Sequence, residues 1–479
     1  MSYKKRAIKG VVWSGIERFS VQIFQFIVTI ILARLLTPYD FGVVAIILVF
    51  TNILMVFNEE GFAMALAQKL NRDELDYSTI FLFNIVWGGI LYLFLFITAP
   101  FFASFFKQPE LTHLTRILGF NLVISSFVVV QRTKLFILVD FKTLAKASFV
   151  AVIMSGIVSI YFAYKGIGVM AIIIQQLINN AINAIFIWIY SKWQPKLQFS
   201  IERFKTLFNF AYKLILARLV NAVFKETYSL VIGKIYTPIQ LGYFNRAKSF
   251  VSISSNNITT IVQRVSVPFF CETQKNHTLL GEQLKDFIQK TAFIVYPLLC
   301  GIFVLAEPMI KVLLTEKWLP AAWMLQVLCP VGMLFVISTF NMNVYNATGR
   351  TDWALKAEVI KKTFNILILV GAIMISFEAV IISQIIIGII DFFVDTWFTK
   401  KQIGLILLKQ LKSIGSILLA SLVMALIVKF STFYLSNDIW KLIVGFVSGT
   451  LFYSIVSYLF DISEFRKVIK SILNRLKND

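Results

Sequence analysis

Apolar residues occur along this chain in long blocks that polar residues rarely interrupt, such as FIVTIIL at 26–32 and VVAIILVF at 43–50. A helix of about 20 apolar residues crosses the hydrocarbon core of a bilayer. The pattern therefore predicts an all-α polytopic membrane protein with about fourteen transmembrane helices joined by short loops. The predicted helices are 11–36, 42–67, 80–106, 112–131, 146–165, 168–190, 208–236, 242–268, 290–313, 321–347, 357–376, 378–398, 413–430 and 439–460.

Composition supports this class. Of 479 residues, 58% are hydrophobic and only 15% are charged, whereas a soluble domain has about a quarter charged residues. Three cysteines and two histidines are scattered without metal-ligand spacing. We therefore expect no metal, no cofactor and no catalytic residue.

The net charge is +21, and the basic residues are distributed unequally between the loops on the two sides of the membrane. Most lysines and arginines outside the predicted helices fall on the side that carries the N-terminus, which places both termini in the cytoplasm. This asymmetry explains the charge as membrane topology, so we expect no nucleic acid partner. The basic segment 465–479 is typical of a helix lying on anionic lipid headgroups.

One short motif occurs twice. ARLLTPYDFG at 33–42 and GKIYTPIQLG at 233–242 share Thr-Pro and Gly in the same order. We expect each to link two helices, the first ending at Thr-Pro and the next beginning at Gly. A chance match between helical hairpins is the alternative. A true repeat predicts two six-helix lobes, 1–200 and 201–400, related by a pseudo-twofold axis along the membrane normal. Residues 401–479 then add two helices and a basic tail.

Polar residues interrupt the predicted spans at helical spacing. An ionisable side chain at mid-bilayer costs about 3 kcal/mol, so those present usually face a cavity. Snorkelling, pairing with Glu17 or Glu226, or hydrogen bonds between helices are the alternatives. The candidate cavity residues are Arg18, Gln22, Gln25, Arg218, Asn221, Lys225, Arg246, Asn256 and Arg264.

These residue types favour one kind of ligand. Arginine and lysine in a low dielectric suit phosphate or pyrophosphate, because charge-assisted hydrogen bonds strengthen there. Asparagine and glutamine beside aromatic rings suit sugar hydroxyls. A phosphorylated glycolipid meets both requirements while its tail stays in the bilayer.

Four segments carry a family resemblance. Residues 10–46, NEEGFAMALAQ at 58–68, QRTKLFILVDFKTLAKAS at 131–148 and GYFNRAKSF at 242–250 resemble the O-antigen, colanic acid and teichuronic acid flippases of the multidrug/oligosaccharidyl-lipid/polysaccharide exporter superfamily. The resemblance covers roughly residues 8–400, and the repeated Thr-Pro turn is its most specific part.

The resemblance implies a bacterial inner-membrane flippase that moves undecaprenyl-pyrophosphate-linked oligosaccharide by alternating access. Membrane lipids and polysaccharide polymerase or assembly proteins are the implied partners, and we expect a monomer. Candidate carboxylates for ion coupling are Glu59, Glu60, Asp391 and Asp395, with structural pairing to a cation as the alternative for each. A multidrug or small-molecule exporter of the same fold, a membrane glycosyltransferase or polymerase, and a scaffold remain the rival functions.

Overall fold

The chain folds into helices throughout. The structure is a computed structural model that describes residues 20–59, 61–405, 407–462 and 464–466. Within these ranges it contains α-helices and one 3-10 turn, and no β-strand. The all-α fold class is therefore confirmed.

Nineteen helices follow one another in the described residues. Their bounds are α1 Ser20–Leu35, α2 Pro38–Glu59, α3 Gly61–Gln68, α4 Glu74–Phe106, α5 Leu111–Gly119, α6 Asn121–Ser126, α7 Val129–Ile137, α8 Phe141–Tyr164, α9 Val169–Ser191, α10 Ile201–Ile235, α11 Pro238–Ser254, α12 Asn256–Thr273, α13 His277–Val304, α14 Ala306–Leu314, α15 Ala321–Ala347, α16 Thr351–Ile373, α17 Phe377–Ile403, α18 Leu407–Phe433 and α19 Asp438–Leu459. The 3-10 turn Glu316–Trp318 lies between α14 and α15.

Ten helices in the described part of the chain are long and apolar enough to span a membrane. The number is eleven if the pair Leu111–Ser126 and Val129–Ile137, bent by 45°, forms one span. Each of the fourteen predicted intervals contains helix. The count of fourteen and the symmetry between lobes stay predictions.

Three predicted helices are divided in the described residues. The interval 112–131 is divided among α5, α6 and α7, 242–268 between α11 and α12, and 290–313 between α13 and α14. At the second break the hydroxyls of Ser254 and Ser255 donate to the carbonyls of Phe250 and Val251, at 3.2 and 2.9 Å. Serine bonding back to the residue four positions earlier competes with the backbone and bends helices.

Several helices begin well before their apolar block. α4, α10 and α13 start six to thirteen residues earlier than predicted, because Asp73, Ser200 and Asn276 cap them. Each cap accepts a backbone N–H of the first turn, which fixes the helix start even where the first turns are polar. Hydropathy alone therefore placed these starts too late.

The described residues form two compact units, which divide between Gly242 and Tyr243. We call them the first unit and the second unit. The division lies after α10, whereas the sequence predicts a lobe boundary at residue 200. The division of the chain into lobes 1–200 and 201–400 and a C-terminal segment 401–479 stays a prediction.

The repeated motif forms the same hydrogen bonds in both copies. The amide and hydroxyl of Thr37 donate to Asp40 at 2.7 Å, and those of Thr237 donate to Gln240 at 3.1 Å. In return, each threonine hydroxyl accepts the amide of the residue three positions later. This arrangement is a capping box with proline in the first helical position. Each Thr-Pro thus begins the following helix, and the expectation that the helix begins at Gly is wrong.

The glycine of each copy of the motif lies against the proline of the other copy. A methyl group added at Gly42 would overlap the carbonyl oxygen of Pro238, and one added at Gly242 would overlap that of Pro38. Both contacts lie within the first unit. Only glycine allows so close an approach of two backbones. The motif therefore repeats because each copy accommodates the other.

Candidate functional site

The first unit contains a cavity of about 300 Å³ among α2, α3, α7, α8 and α10, which we call the first-unit cavity. Its lining contains two guanidinium groups and one carboxylate, so the lining carries an excess of positive charge. The lining residues are Glu59, Ala63, Met64, Ala67, Arg132, Thr133, Phe136, Leu144 and Arg218.

An open ion pair crosses this cavity. The Arg132 guanidinium lies 3.5 Å from the Glu59 carboxylate, with side chains 40% and 31% exposed. Arg132 also donates to Asn183 at 3.4 Å. A pair so exposed contributes at most about 1 kcal/mol, because water screens it. An anion entering the cavity can therefore take the place of Glu59 at Arg132.

The break between α6 and α7 positions Arg132. Trp188 donates its indole N–H to the Phe127 carbonyl at the break, at 2.8 Å. This bond gives a partner to a backbone group freed by the interrupted helix. α7 then restarts at Val129 and places Arg132 and Thr133 along the cavity.

α10 supplies the second arginine. Arg218, Asn221 and Lys225 are all exposed on this helix, and Arg218 lines the cavity. The binding roles expected of these three residues stay predictions. Asn221 donates to its own helix, at the Ala217 carbonyl. Glu226 accepts from Asn52 of α2 at 3.2 Å.

The remaining candidate residues of the first half that the structure describes are not among those that line the first-unit cavity. Gln22 is partly buried and Gln25 is exposed on α1. Arg18 and Glu60 lie outside the described residues, so their roles stay predictions.

The predicted residues of the second unit lie on α11 and α12. Arg246 is partly buried, with its guanidinium 5.9 Å from the centre of the Trp318 ring. Asn256 and Arg264 are exposed, and Asn256 donates to the Ser252 hydroxyl at 3.2 Å. None of these three lines the first-unit cavity, and their part in binding stays a prediction.

The second unit also encloses a buried ion cluster between α15, α16 and α17. Lys361 donates to Asp395 at 3.1 Å and lies 2.6 Å from Glu358. Tyr345 donates to Asp395 at 2.7 Å, and the Ser338 hydroxyl donates to it as well. We call Ser338, Tyr345, Glu358, Lys361 and Asp395 the Asp395 cluster.

A neighbouring amide pair shows how polar groups in this unit serve packing. Asn341 and Gln410 exchange two hydrogen bonds of 2.9 and 3.1 Å between α15 and α18, and both are buried. The Thr399 hydroxyl donates to the Asn341 carbonyl at 3.2 Å. These contacts match the hydrogen bonding between helices expected as an alternative to ligand binding.

The sequence pattern did not single out Arg132 or Lys361. The signal for Arg132 is that it directly follows the predicted helix 112–131 and that apolar residues resume at Leu135, in LFILV. The signal for Lys361 is that it lies within the predicted helix 357–376, before the apolar run ILILV. Among the described residues, no group of three or more His, Cys, Asp or Glu side chains could hold a metal ion.

Two solved structures share the fold. The chain aligns with the lipid II flippase MurJ in an inward closed conformation with a TM-score of 0.79 and 19% identity, covering 96% of this chain and 100% of that one. It also aligns with an inward-facing multidrug resistance MATE transporter of the MOP superfamily, with a TM-score of 0.60 and 15% identity over 81% and 98% of the two chains. At such identities the likeness concerns the fold alone.

Sequence relatives extend over most of the chain. The teichuronic acid biosynthesis protein TuaB of Bacillus subtilis is 28% identical over 94% of this chain and 95% of its own. The succinoglycan biosynthesis transport protein ExoT of Rhizobium meliloti is 23% identical, over 97% and 95%. The lipopolysaccharide biosynthesis protein WzxC of Escherichia coli is 22% identical, over 75% and 74%. Residues 31–323 match the family model described as polysaccharide biosynthesis protein. The chain therefore belongs to the polysaccharide biosynthesis protein family, whose relatives include membrane transport proteins.

Proposed function

We propose that this protein moves undecaprenyl-pyrophosphate-linked oligosaccharide repeat units across the bacterial cytoplasmic membrane by alternating access. The units would serve surface polysaccharide synthesis, as O-antigen, capsule or exopolysaccharide. The names of the relatives, which refer to teichuronic acid, succinoglycan and lipopolysaccharide, support this pathway class.

The first-unit cavity is the observation that carries the proposal. Two arginines and one replaceable carboxylate line it, and guanidinium groups bind phosphate oxygens through paired, charge-assisted hydrogen bonds. We assign the pyrophosphate to Arg132 and Arg218. Thr133 and the nearby Asn183 add hydrogen-bonding groups for a sugar.

Orientation and assembly follow from the same proposal. With both termini in the cytoplasm the basic loops lie inside, as the charge asymmetry of the sequence favours. The protein would act as a monomer beside the polymerase or assembly proteins that use its product. Labelling of single cysteines placed in successive loops of intact cells tests this orientation.

A complementation assay tests the function. In cells lacking the gene, lipid-linked repeat units should accumulate on the cytoplasmic leaflet, and the wild-type gene should restore surface glycan. Arg132→Gln and Arg218→Gln should each lower export by about tenfold or more, because each removes a charge-assisted hydrogen bond.

Arg116→Gln is the matched control. Arg116 lies over the Phe96 ring at 4.2 Å and donates to a backbone carbonyl, away from the cavity, so export should stay near wild type. Normal surface glycan in the deletion strain would refute the flippase proposal. Full export by the double variant Arg132→Gln/Arg218→Gln would refute the assigned pyrophosphate site.

The rival functions make different demands. An exporter of organic cations would place its substrate beside two guanidinium groups, which repel it. Cells that express the protein should therefore not export a cationic dye, whereas dye export that depends on Glu59 would favour the rival. The relative named as a transport protein favours transport over a glycosyltransferase or polymerase.

A further inference from the structure

Lys361 is a buried cation held inside the second unit. It lies in α16 with 8% of its surface exposed, beside Asp395 of α17, which is 1% exposed. A buried ammonium is costly unless carboxylates surround it. The structure thus holds Lys361 in a place where only a compensated cation is stable.

The surroundings of the ammonium are those of a bound cation. Its nitrogen lies 3.1 and 3.4 Å from the two carboxylate oxygens of Asp395 and 2.6 Å from Glu358. Hydroxyls of Tyr345 and Ser338, both on α15, complete the oxygen groups around Asp395. Oxygen from carboxylates and hydroxyls is also what hard metal cations prefer.

Lys361 is a cation within hydrogen-bonding distance of Asp395. Lys362 lies 3.6 Å from Glu358, and Asp391 lies one helical turn before Asp395. Loss of the Lys361 charge would leave Asp395 as a buried anion beside two hydroxyls. A proton or a replacement cation can neutralise such a carboxylate, and a small monovalent cation would take the place of the ammonium.

We propose that the Asp395 cluster is a monovalent cation site filled by the chain's own Lys361 ammonium. Its alternative ligand is a small alkali cation, such as Na⁺, which the site accepts once the lysine side chain is removed. This inference does not depend on the transported substrate. It assigns Asp395 to an internal ion pair and leaves Glu59 as the accessible candidate for coupling to an ion from solution.

Thermal unfolding of the purified full-length protein tests the proposal in NaCl and in choline chloride of equal ionic strength. Lys361→Ala removes the ammonium and opens space for a cation. We expect its unfolding temperature in choline to fall by ~5 °C or more, and NaCl to restore a measurable part of that loss. NaCl should raise the unfolding temperature of Lys361→Ala by more than it raises that of the wild type, whose site is already filled.

Two control variants separate the effect of the space vacated at residue 361 from the effect of losing a lysine charge. Lys361→Met removes the charge but fills the space, so NaCl should not restore its stability. Lys362→Ala removes a more exposed lysine of the same helix, with its side chain 28% exposed, and should behave like wild type in both salts.

Two results would overturn the proposal. The first is a Lys361→Ala variant that NaCl stabilises no more than it stabilises the wild type. If Lys361→Ala fails to fold in choline, the neutral variant Lys361→Ala/Asp395→Asn serves instead. It should respond to NaCl as the wild type does, and a larger sodium response in this double variant would be the second contrary result.

Discussion

The two units differ in how far water reaches a cation that is paired with a carboxylate. In the first unit Glu59 and Arg132 face a cavity with about a third of each side chain exposed. In the second unit Lys361 and Asp395 are buried, and Asp395 also accepts hydrogen bonds from two hydroxyls. The first pair is exchangeable, while the second is part of the core.

Solvent access decides between these behaviours, because it sets the effective dielectric. Water screens an open pair and offers each partner an alternative, so little free energy is lost when a ligand separates them. In the closed pair water cannot replace a lost partner, and removing Lys361 leaves Asp395 as an uncompensated buried charge. Stability measurements on variants of each pair therefore test whether the two units differ in this way.

The largest effect is expected for Lys361→Met, which leaves the Asp395 carboxylate buried without its ammonium partner. The free energy of unfolding should fall by about 3–5 kcal/mol. The double variant Asp395→Leu/Lys361→Met removes both charges and should recover most of this loss, as measured by chemical unfolding in detergent. Equal losses in the single and double variants would show that packing, not charge, dominates the Asp395 cluster.

An intermediate effect is expected for Lys69→Met in the first unit. Lys69 lies 2.6 Å from Asp76, whose side chain is fully buried, but Arg203 also approaches Asp76 at 3.9 Å. Because this second cation remains, unfolding should become easier by only about 1–3 kcal/mol. The exposed Lys205 on α10 offers a control, since Lys205→Met removes the same charge and should change stability by less than ~0.5 kcal/mol.

A smaller effect is expected for the cap of α4. Asp73 accepts the amide of Asp76 and lies 3.1 Å from Arg203. That backbone hydrogen bond, with the charge of Arg203, lowers the pKa of Asp73. Asp73→Ala should lower the free energy of unfolding by ~1 kcal/mol at neutral pH.

The pH dependence of the Asp73 variants follows from the direction of this shift. The stabilisation is complete above the unfolded pKa, about 3.9, and is lost as pH falls through the lower folded pKa. Asp73→Asn keeps the cap acceptor without the charge, so it should retain most of the stability and lose this pH dependence. A cost of Asp73→Ala that does not change down to the lowest pH at which the protein stays folded would contradict the assignment.

The smallest effect is expected for Glu59→Gln. Its exposed pair with Arg132 should contribute less than ~1 kcal/mol to the free energy of unfolding, and added salt should reduce even that difference. Unfolding curves at low and high ionic strength measure both. A loss as large as that of Lys361→Met would mean that the first-unit cavity is closed to water, and the two pairs would then not differ in solvent access.

Part of the first-unit cavity follows from the sequence. Glu59 and Arg218 were singled out as functional candidates and both line the cavity, while their roles stay predictions. Arg132 was not singled out, because the predicted helix 112–131 ends just before it and a hydropathy window cannot show that a broken helix resumes there. Lys361 lies within the predicted helix 357–376, but the Asp395 carboxylate that pairs with it lies 34 residues further along the chain.

The repeated turn shows the same limit. The repeated residues predicted a structural repeat. A threonine and a side-chain acceptor three positions later are sufficient to build the capping box within one turn. No local rule connects Gly42 with Pro238, because their contact joins two distant parts of the chain.

The apolar blocks of the sequence are sufficient to predict a helical membrane protein, since such blocks can satisfy their backbone hydrogen bonds in lipid only as helices. The helix caps are also encoded locally, because a cap acts within one turn. Which charges meet, and whether water reaches them, became known from the folded chain. The reason is that burial and pairing depend on the packing of helices that lie far apart in sequence, and the same lysine or arginine is replaceable in a cavity and fixed in a core.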